Sequence, residues 1–212
     1  VHGDCAHHLR EHLQPLRQKA TPAEQIMIDW AGYCLKGDLQ NQIKCLQDAL
    51  LYSPDNNIIL FLLGRLQYMT KDFSSCIRTM ENVLQMRWRY SPAYYLIGSS
   101  QLNLGDYSTA KLNLDKACQI KPTFPDAYLL SAHLHRRDGE WKEYQDCIKA
   151  YLQLLTDKGV DQGDAYATMG TFYLTADLGT ESVEAFRGAV KLCPDKAEYN
   201  LGLAAAYRKC GN

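Results

Sequence analysis

The side chains best suited to chemistry in this chain are cations and aromatics set along helical faces. Phe61, Arg65, Tyr68 and Met69 follow one another at helical spacing, as do Tyr95 with Ser99 and His133 with Arg136 and Arg137. Arg65, His133, Arg136 and Arg137 could each hold a carboxylate. Phe61, Tyr68, Met69 and Tyr95 could each seat an apolar side chain. A guanidinium meets a carboxylate with two parallel hydrogen bonds, and aromatics with Arg dominate interface hot spots. That is the chemistry of recognition rather than of bond breaking. No Gly-rich phosphate loop, Gly-x-Ser-x-Gly or His-Glu-x-x-His occurs, so no catalytic residue is expected and the chain does not read as an enzyme. Glu140 and Glu143 read as the solvated side of a helix. One spacing invites a metal: Cys5, His8 and His12 fall at i, i+3 and i+7, with His7 adjacent. No second motif supplies a further ligand, so these residues read as a polar helix face near a chain end. No metal and no other cofactor is expected.

Composition narrows the partners. Of 212 residues, 46% are hydrophobic, enough for a core, and the net charge of −1 gives no pull toward nucleic acid or an anionic membrane. The longest apolar run, 58–63, is too short to span a bilayer. The eight cysteines include no Cys-x-x-Cys pair and no dense framework, which points to a reducing compartment and a cytoplasmic location. Residue 1 is Val, so the expectation is that the true N-terminus is missing or processed.

The elements that must position these side chains come from a repeat. The block 60–64 (Leu-Phe-Leu-Leu-Gly) returns 34 residues later at 94–98 (Tyr-Tyr-Leu-Ile-Gly) and again at 128–132 (Tyr-Leu-Leu-Ser-Ala). Laid out in register, units start at Ala23, Asn57, Ser91, Pro125, Gly163 and Ala197. The steps are 34 except the fourth, which is 38, and its four extra residues are expected in a loop around 159–162. A fixed period of this length marks a repeat array. Within each unit Leu, Ile, Tyr and Phe recur at i, i+3, i+4 and i+7, so two amphipathic helices are expected. Gly64, Gly98, Ala132, Gly170 and Ala204 let the first helix approach the second. Gly105 and Gly139 allow the turn between them, and Pro54, Pro122 and Pro194 stop the second helix.

These residues resemble the tetratricopeptide repeat (TPR) family over 23–212. The third unit carries the pattern well: Tyr94, Ile97 and Gly98, then Gly105-Asp106-Tyr107, then Ala110, Leu114, Ala117 and Pro122. The fifth gives Tyr166, Met169, Gly170, Tyr173, Phe186, Ala189 and Pro194, and the first gives Ile26, Tyr33, Gly37-Asp38, Leu46, Ala49 and Pro54. The resemblance implies an all-α, right-handed α-solenoid of helix–turn–helix repeats at 23–56, 57–90, 91–124, 125–162, 163–196 and, incomplete, 197–212. Residues 1–22 read as an N-terminal helix, the second helix of a preceding partial repeat. The chain is therefore expected to begin and end inside repeats. Three residues depart from the pattern: Trp30 and Tyr144 stand in small-residue slots, and Trp88 stands where Pro is expected. Each reads as drift that alters local packing.

The resemblance also implies a concave groove lined by the first helix of each repeat. Its expected partner-binding residues are Phe61, Arg65, Tyr68, Met69, Tyr95, Ser99, His133, Arg136 and Arg137, an apolar and aromatic stretch followed by a basic one. The expected function is a scaffold or adaptor that holds a peptide or partner helix, with an acidic group among its contacts. Self-association through uncovered repeat ends is a further expectation. The family's carboxylate clamp for Hsp70 and Hsp90 tails resembles a Lys–Asn–Asn–Lys–Arg set. The corresponding positions are Met27, Ala31, Leu62, Pro92 and Leu96, or one unit later Phe61, Arg65, Leu96, Asp126 and Leu130, so no chaperone-tail binding of that kind is expected. Two other readings stay open: a structural subunit of a large assembly, or the recruiting arm of an enzyme whose catalytic domain lies outside this chain.

Overall fold

The computed structural model describes residues 19–211. They form α-helices and, among the described residues, no strand. In chain order the helices are α1 (Pro22–Lys36), α2 (Leu39–Tyr52), α3 (Asn57–Met69), α4 (Phe73–Met86), α5 (Ser91–Leu104), α6 (Tyr107–Ile120), α7 (Pro125–Arg137), α8 (Trp141–Thr156), α9 (Gln162–Thr175), α10 (Gly179–Leu192) and α11 (Ala197–Lys209). The result is an all-α helical repeat. It divides into two compact units at Ala110 and Lys111, within α6. No helix among the described residues is long and apolar enough to cross a membrane.

Local chemistry sets the helix ends. Thr21 and Glu24 form a capping box at α1, and Asp38, Asn56, Asp72 and Asp161 accept the first backbone N–H groups of α2, α3, α4 and α9. Between paired helices the chain reverses through one left-handed residue. That residue is Gly37, Lys71, Gly105, Gly139 and Asp177 in turn, and Gly211 after α11, with φ between +63° and +82°. Its steps of 34, 34, 34, 38 and 34 follow the repeat. Lys71 and Asp177 hold the same conformation without glycine. A left-handed L-residue costs roughly 1–2 kcal/mol, partly offset by the roughly 0.5–1 kcal/mol that glycine loses in chain entropy. Lys71→Gly should therefore stabilise the fold by about 0.5–1 kcal/mol, read as a rise in thermal midpoint. A fall would contradict this account of the turn.

The 38-residue step does not place its extra residues wholly in a loop. α8 runs 16 residues where α2, α4, α6 and α10 run 14, so the helix absorbs two of them.

In the first unit, Leu46, Ala49, Ile59, Leu63 and Leu66 form one core, and Leu60, Cys76, Met80, Val83, Ala93, Leu96 and Ile97 form the next. Gly64 lies under the Met80 thioether, where a Cβ would overlap its methyl. Trp30 has the opposite effect in its small-residue slot. Its ring stays half-buried, and α1 has no fully buried residue. In the second unit, the core holds Leu129, Tyr151, Ala165, Met169, Tyr173 and Ala185. There the Phe186 ring packs between two glycines, Gly170 of α9 and Gly202 of α11. Ala204, expected in a small-residue slot, is exposed instead. The close contact of α11 is made by Gly202 against Phe186, back toward the preceding helix pair.

Candidate partner-binding surfaces

In the first unit the candidate residues come from α3 and α5. Phe61 is half-buried and meets Tyr90 edge-on at 5.3 Å. Tyr68 packs edge-on against Phe73 at 5.6 Å. Burial pushes the Tyr68 phenol up, against a smaller opposing pull from the nearby Ser99 and Asn103. Met69 is 55% exposed, and Tyr95 is half-buried against the second core. Arg65, one turn from Phe61, is exposed, and among the described residues no carboxylate lies in ion-pair range of it. A cation beside aromatics and Met is thus left open to solvent.

Ser99 corrects the expected groove. It is 0% exposed and cannot touch a partner in this structure. Arg65, Ser99 and His133 share one register position, so register fixes the direction of a side chain but not its depth. Ser99 is short, and Tyr68 and Asn103 close over it; the Asn103 amide also donates to the Ser99 carbonyl at 2.8 Å. Nearby, Ala23, Met27, Ala31, Ala49 and Ile59 line an apolar cleft of about 700 Å³ between α1, α2 and α3.

In the second unit the basic stretch is already engaged. Arg136 makes a two-pronged pair with Glu184 of α10, at 2.5 and 2.9 Å, and this pairing raises its pKa. His133 Nδ1 lies 3.0 Å from Glu181. Arg137 is exposed, with Asp138 at 3.3 Å. Arg136, Tyr144, Tyr166, Tyr173, Glu181 and Glu184 line a cavity of about 140 Å³. Burial pushes the Glu181 carboxyl up, but the His133 hydrogen bond, its own backbone N–H and the charges of His133 and Arg136 outweigh it and hold the pKa low. A carboxyl lowered on folding stabilises above its unfolded pKa of about 4.3 and loses that contribution as pH falls through the lower folded value. The second unit should therefore weaken on acidification below about pH 4. Glu181→Gln should flatten that slope in denaturant titrations run at several pH values. An unchanged slope would contradict the assignment.

A polar network that sequence reasoning missed joins α6 to α7. Ser131 Oγ donates to Asp115 Oδ1 at 2.5 Å, and His135 Nε2 lies 3.4 Å from the same oxygen. His135 Nδ1 meets Glu140 Oε2 at 2.6 Å, and Lys111 reaches Glu140 at 2.6 Å and Asp138 at 3.1 Å. Glu140 is thus a partner of His135 and Lys111 rather than part of a solvated helix side. Ser, His and Asp meet here without forming a nucleophilic triad. The serine hydroxyl donates to the carboxylate and not to the imidazole, so the Ser–His hydrogen bond of such a triad is absent here. Burial pushes the neighbouring thiols up, Cys118 to about 12 and Cys147 to about 11, so both stay protonated near neutral pH. Cys5, His7, His8 and His12 lie outside the described residues.

Residues 91–124 match the tetratricopeptide repeat family. No curated protein matches the chain. Among solved structures it is similar to MamA, at 24% identity over 79% of this chain and 95% of that one, with a TM-score of 0.57. A tetratricopeptide repeat protein from Parabacteroides merdae is similar at 16% identity over 89% and 73%, with a TM-score of 0.65. A thermophilic TPR protein of Thermus thermophilus is similar at 16% identity over 87% and 98%, with a TM-score of 0.59. At these identities the likeness is one of fold. Residues 91–124 match a tetratricopeptide repeat, and the chain is an all-α helical repeat whose fold is similar to that of solved tetratricopeptide repeat proteins.

Proposed function

We propose that this chain is a scaffold that grips a peptide or partner helix on the face formed by Phe61, Arg65, Tyr68, Met69 and Tyr95. Repeat arrays of this fold serve protein–protein interaction in general. The observation that carries the reading is Arg65, an exposed guanidinium with no carboxylate partner among the described residues, beside half-buried aromatics and an exposed Met. The ligand is a segment with an apolar side chain and an acidic group close to it. His133, Arg136 and Arg137 extend the same chemistry in the second unit, but there an incoming acid must displace Glu181 or Glu184. Arg65 is accordingly the open acid anchor of the first unit, whereas Arg136 in the second is already engaged.

The test is selection of peptides from a random library on the intact chain, with the enriched peptides rebound to a Phe61→Ala/Arg65→Glu variant. Enrichment of acidic–apolar peptides that the variant releases supports the reading. Peptides that bind the variant equally well refute it.

A further inference from the structure

We infer that Trp88, with Arg87 and Arg89, forms a second docking point, beside the face of Phe61 and Arg65, for a partner segment that carries an apolar side chain flanked by carboxylates. The connector between α4 and α5 is built for proline. Arg87 has φ −135° and ψ 72°, close to Ser53 (−145°, 75°) and Cys193 (−138°, 82°), the residues that precede Pro54 and Pro194. The Trp88 backbone N–H donates no hydrogen bond among the described residues, so a proline ring would remove nothing. The fold would accept Pro at 88, yet the chain places there an indole that is 69% exposed. An exposed tryptophan gives up most of the stabilisation its burial would bring. Its presence is therefore not explained by the packing of this chain.

The surrounding charge points the same way. Pro54 and Pro194 are each followed by Asp, whereas Trp88 is followed by Arg89 and preceded by Arg87. The Arg89 guanidinium lies 5.3 Å from the Trp88 ring centre, and Arg87 lies 4.8 Å from that of Tyr90. These contacts hold the cations against the aromatic surface. Neither arginine has an ion-pair partner among the described residues. Met86, also exposed, widens the apolar area. Exposed Trp between unpaired Arg residues is the composition of a protein hot spot. Binding to an anionic membrane draws on clusters of about four to eight basic residues, and this connector has two. The charge complement of the site is thus an acidic protein segment.

The probes are a fluorescent ten-residue peptide with Leu and Phe between Asp residues, the same peptide with Lys for each Asp, and vesicles rich in phosphatidylserine. Affinity is measured by anisotropy and vesicle binding by sedimentation. The acidic peptide should bind the parent chain and the lysine peptide should not. Trp88→Pro should keep the thermal midpoint or raise it, and should weaken acidic-peptide binding by about 30-fold. Arg87→Glu/Arg89→Glu should reverse the preference toward the lysine peptide. The Phe61–Arg65 face suits the same peptide, so these comparisons are made in an Arg65→Glu background, and failure here is separable from failure of the reading built on Phe61 and Arg65. The inference is overturned if the acidic peptide does not bind the Arg65→Glu chain, or if Arg65→Glu/Trp88→Pro binds it as Arg65→Glu does. It is also overturned if vesicles bind and the peptide does not.

Discussion

Phe186→Ala should cost about 3–5 kcal/mol of stability, the largest effect expected of any single change to the second unit. Three helices converge on this ring. It projects from α10, and glycines on α9 and α11 leave the room it fills. A Cβ placed at Gly170 would stand 2.6 Å from the ring, and one at Gly202 would overlap it outright. No rotation of a flexible tail can relieve this, because the atoms met are those of a rigid, 4%-exposed phenyl group. Gly170→Ala should therefore destabilise by about 1–3 kcal/mol through overpacking, despite the better helix propensity of alanine. The two changes should not add. With Phe186→Leu in place, Gly170→Ala should become milder, since the clash is with the ring itself. Urea unfolding of the four variants measures this. A cost below about 1 kcal/mol for Phe186→Ala, or strict additivity of the pair, would contradict the packing described.

Phe61→Ala with Arg65→Glu should weaken the binding of a selected acidic–apolar peptide by about 100-fold or more, at two hot-spot positions on one helix face. Arg65 is exposed and Phe61 half-buried, so the variant should stay folded. Arg136→Glu should weaken the same peptide far less. Its guanidinium is already held by Glu184, so an incoming carboxylate gains only the difference between two similar partners. Raising the salt concentration should weaken the parent and leave Arg65→Glu nearly unaffected, because the exposed cation is the one that screening reaches. Equal losses for Arg65→Glu and Arg136→Glu would show that the ion pair seen in the second unit does not persist in solution.

The helical repeat was legible in the residues because its markers are local. Gly105 and Gly139 sit where the chain must turn through a left-handed residue, and both adopt it. Lys71 and Asp177 adopt it too, and nothing in their side chains announces this; only the period does. Register groups the candidate residues, but neither their depth nor their charge pairing was legible. Ser99 shares the register position of Arg65, yet its size lets Tyr68 and Asn103 cover it. Arg136 read as a free cation because its partner stands 48 residues away on the second helix of the following pair. His133 and Glu181 share that separation, so a search for acids at this offset would have found both pairs. The network on His135 escaped for a related reason: its carboxylates come from α6 and from the residues just beyond α7, elements whose polar residues each read alone as solvated.

The most direct measurement is photo-crosslinking of a selected acidic–apolar peptide to chains that carry benzoylphenylalanine at single sites. Met69 reports the proposed face, and Glu81, exposed on α4, reports the other side of the same helix pair. The account expects a crosslink from position 69 that Arg65→Glu abolishes, and none from position 81. Crosslinking from 81 with none from 69 would place the partner on the exposed side of α4 and contradict the central claim.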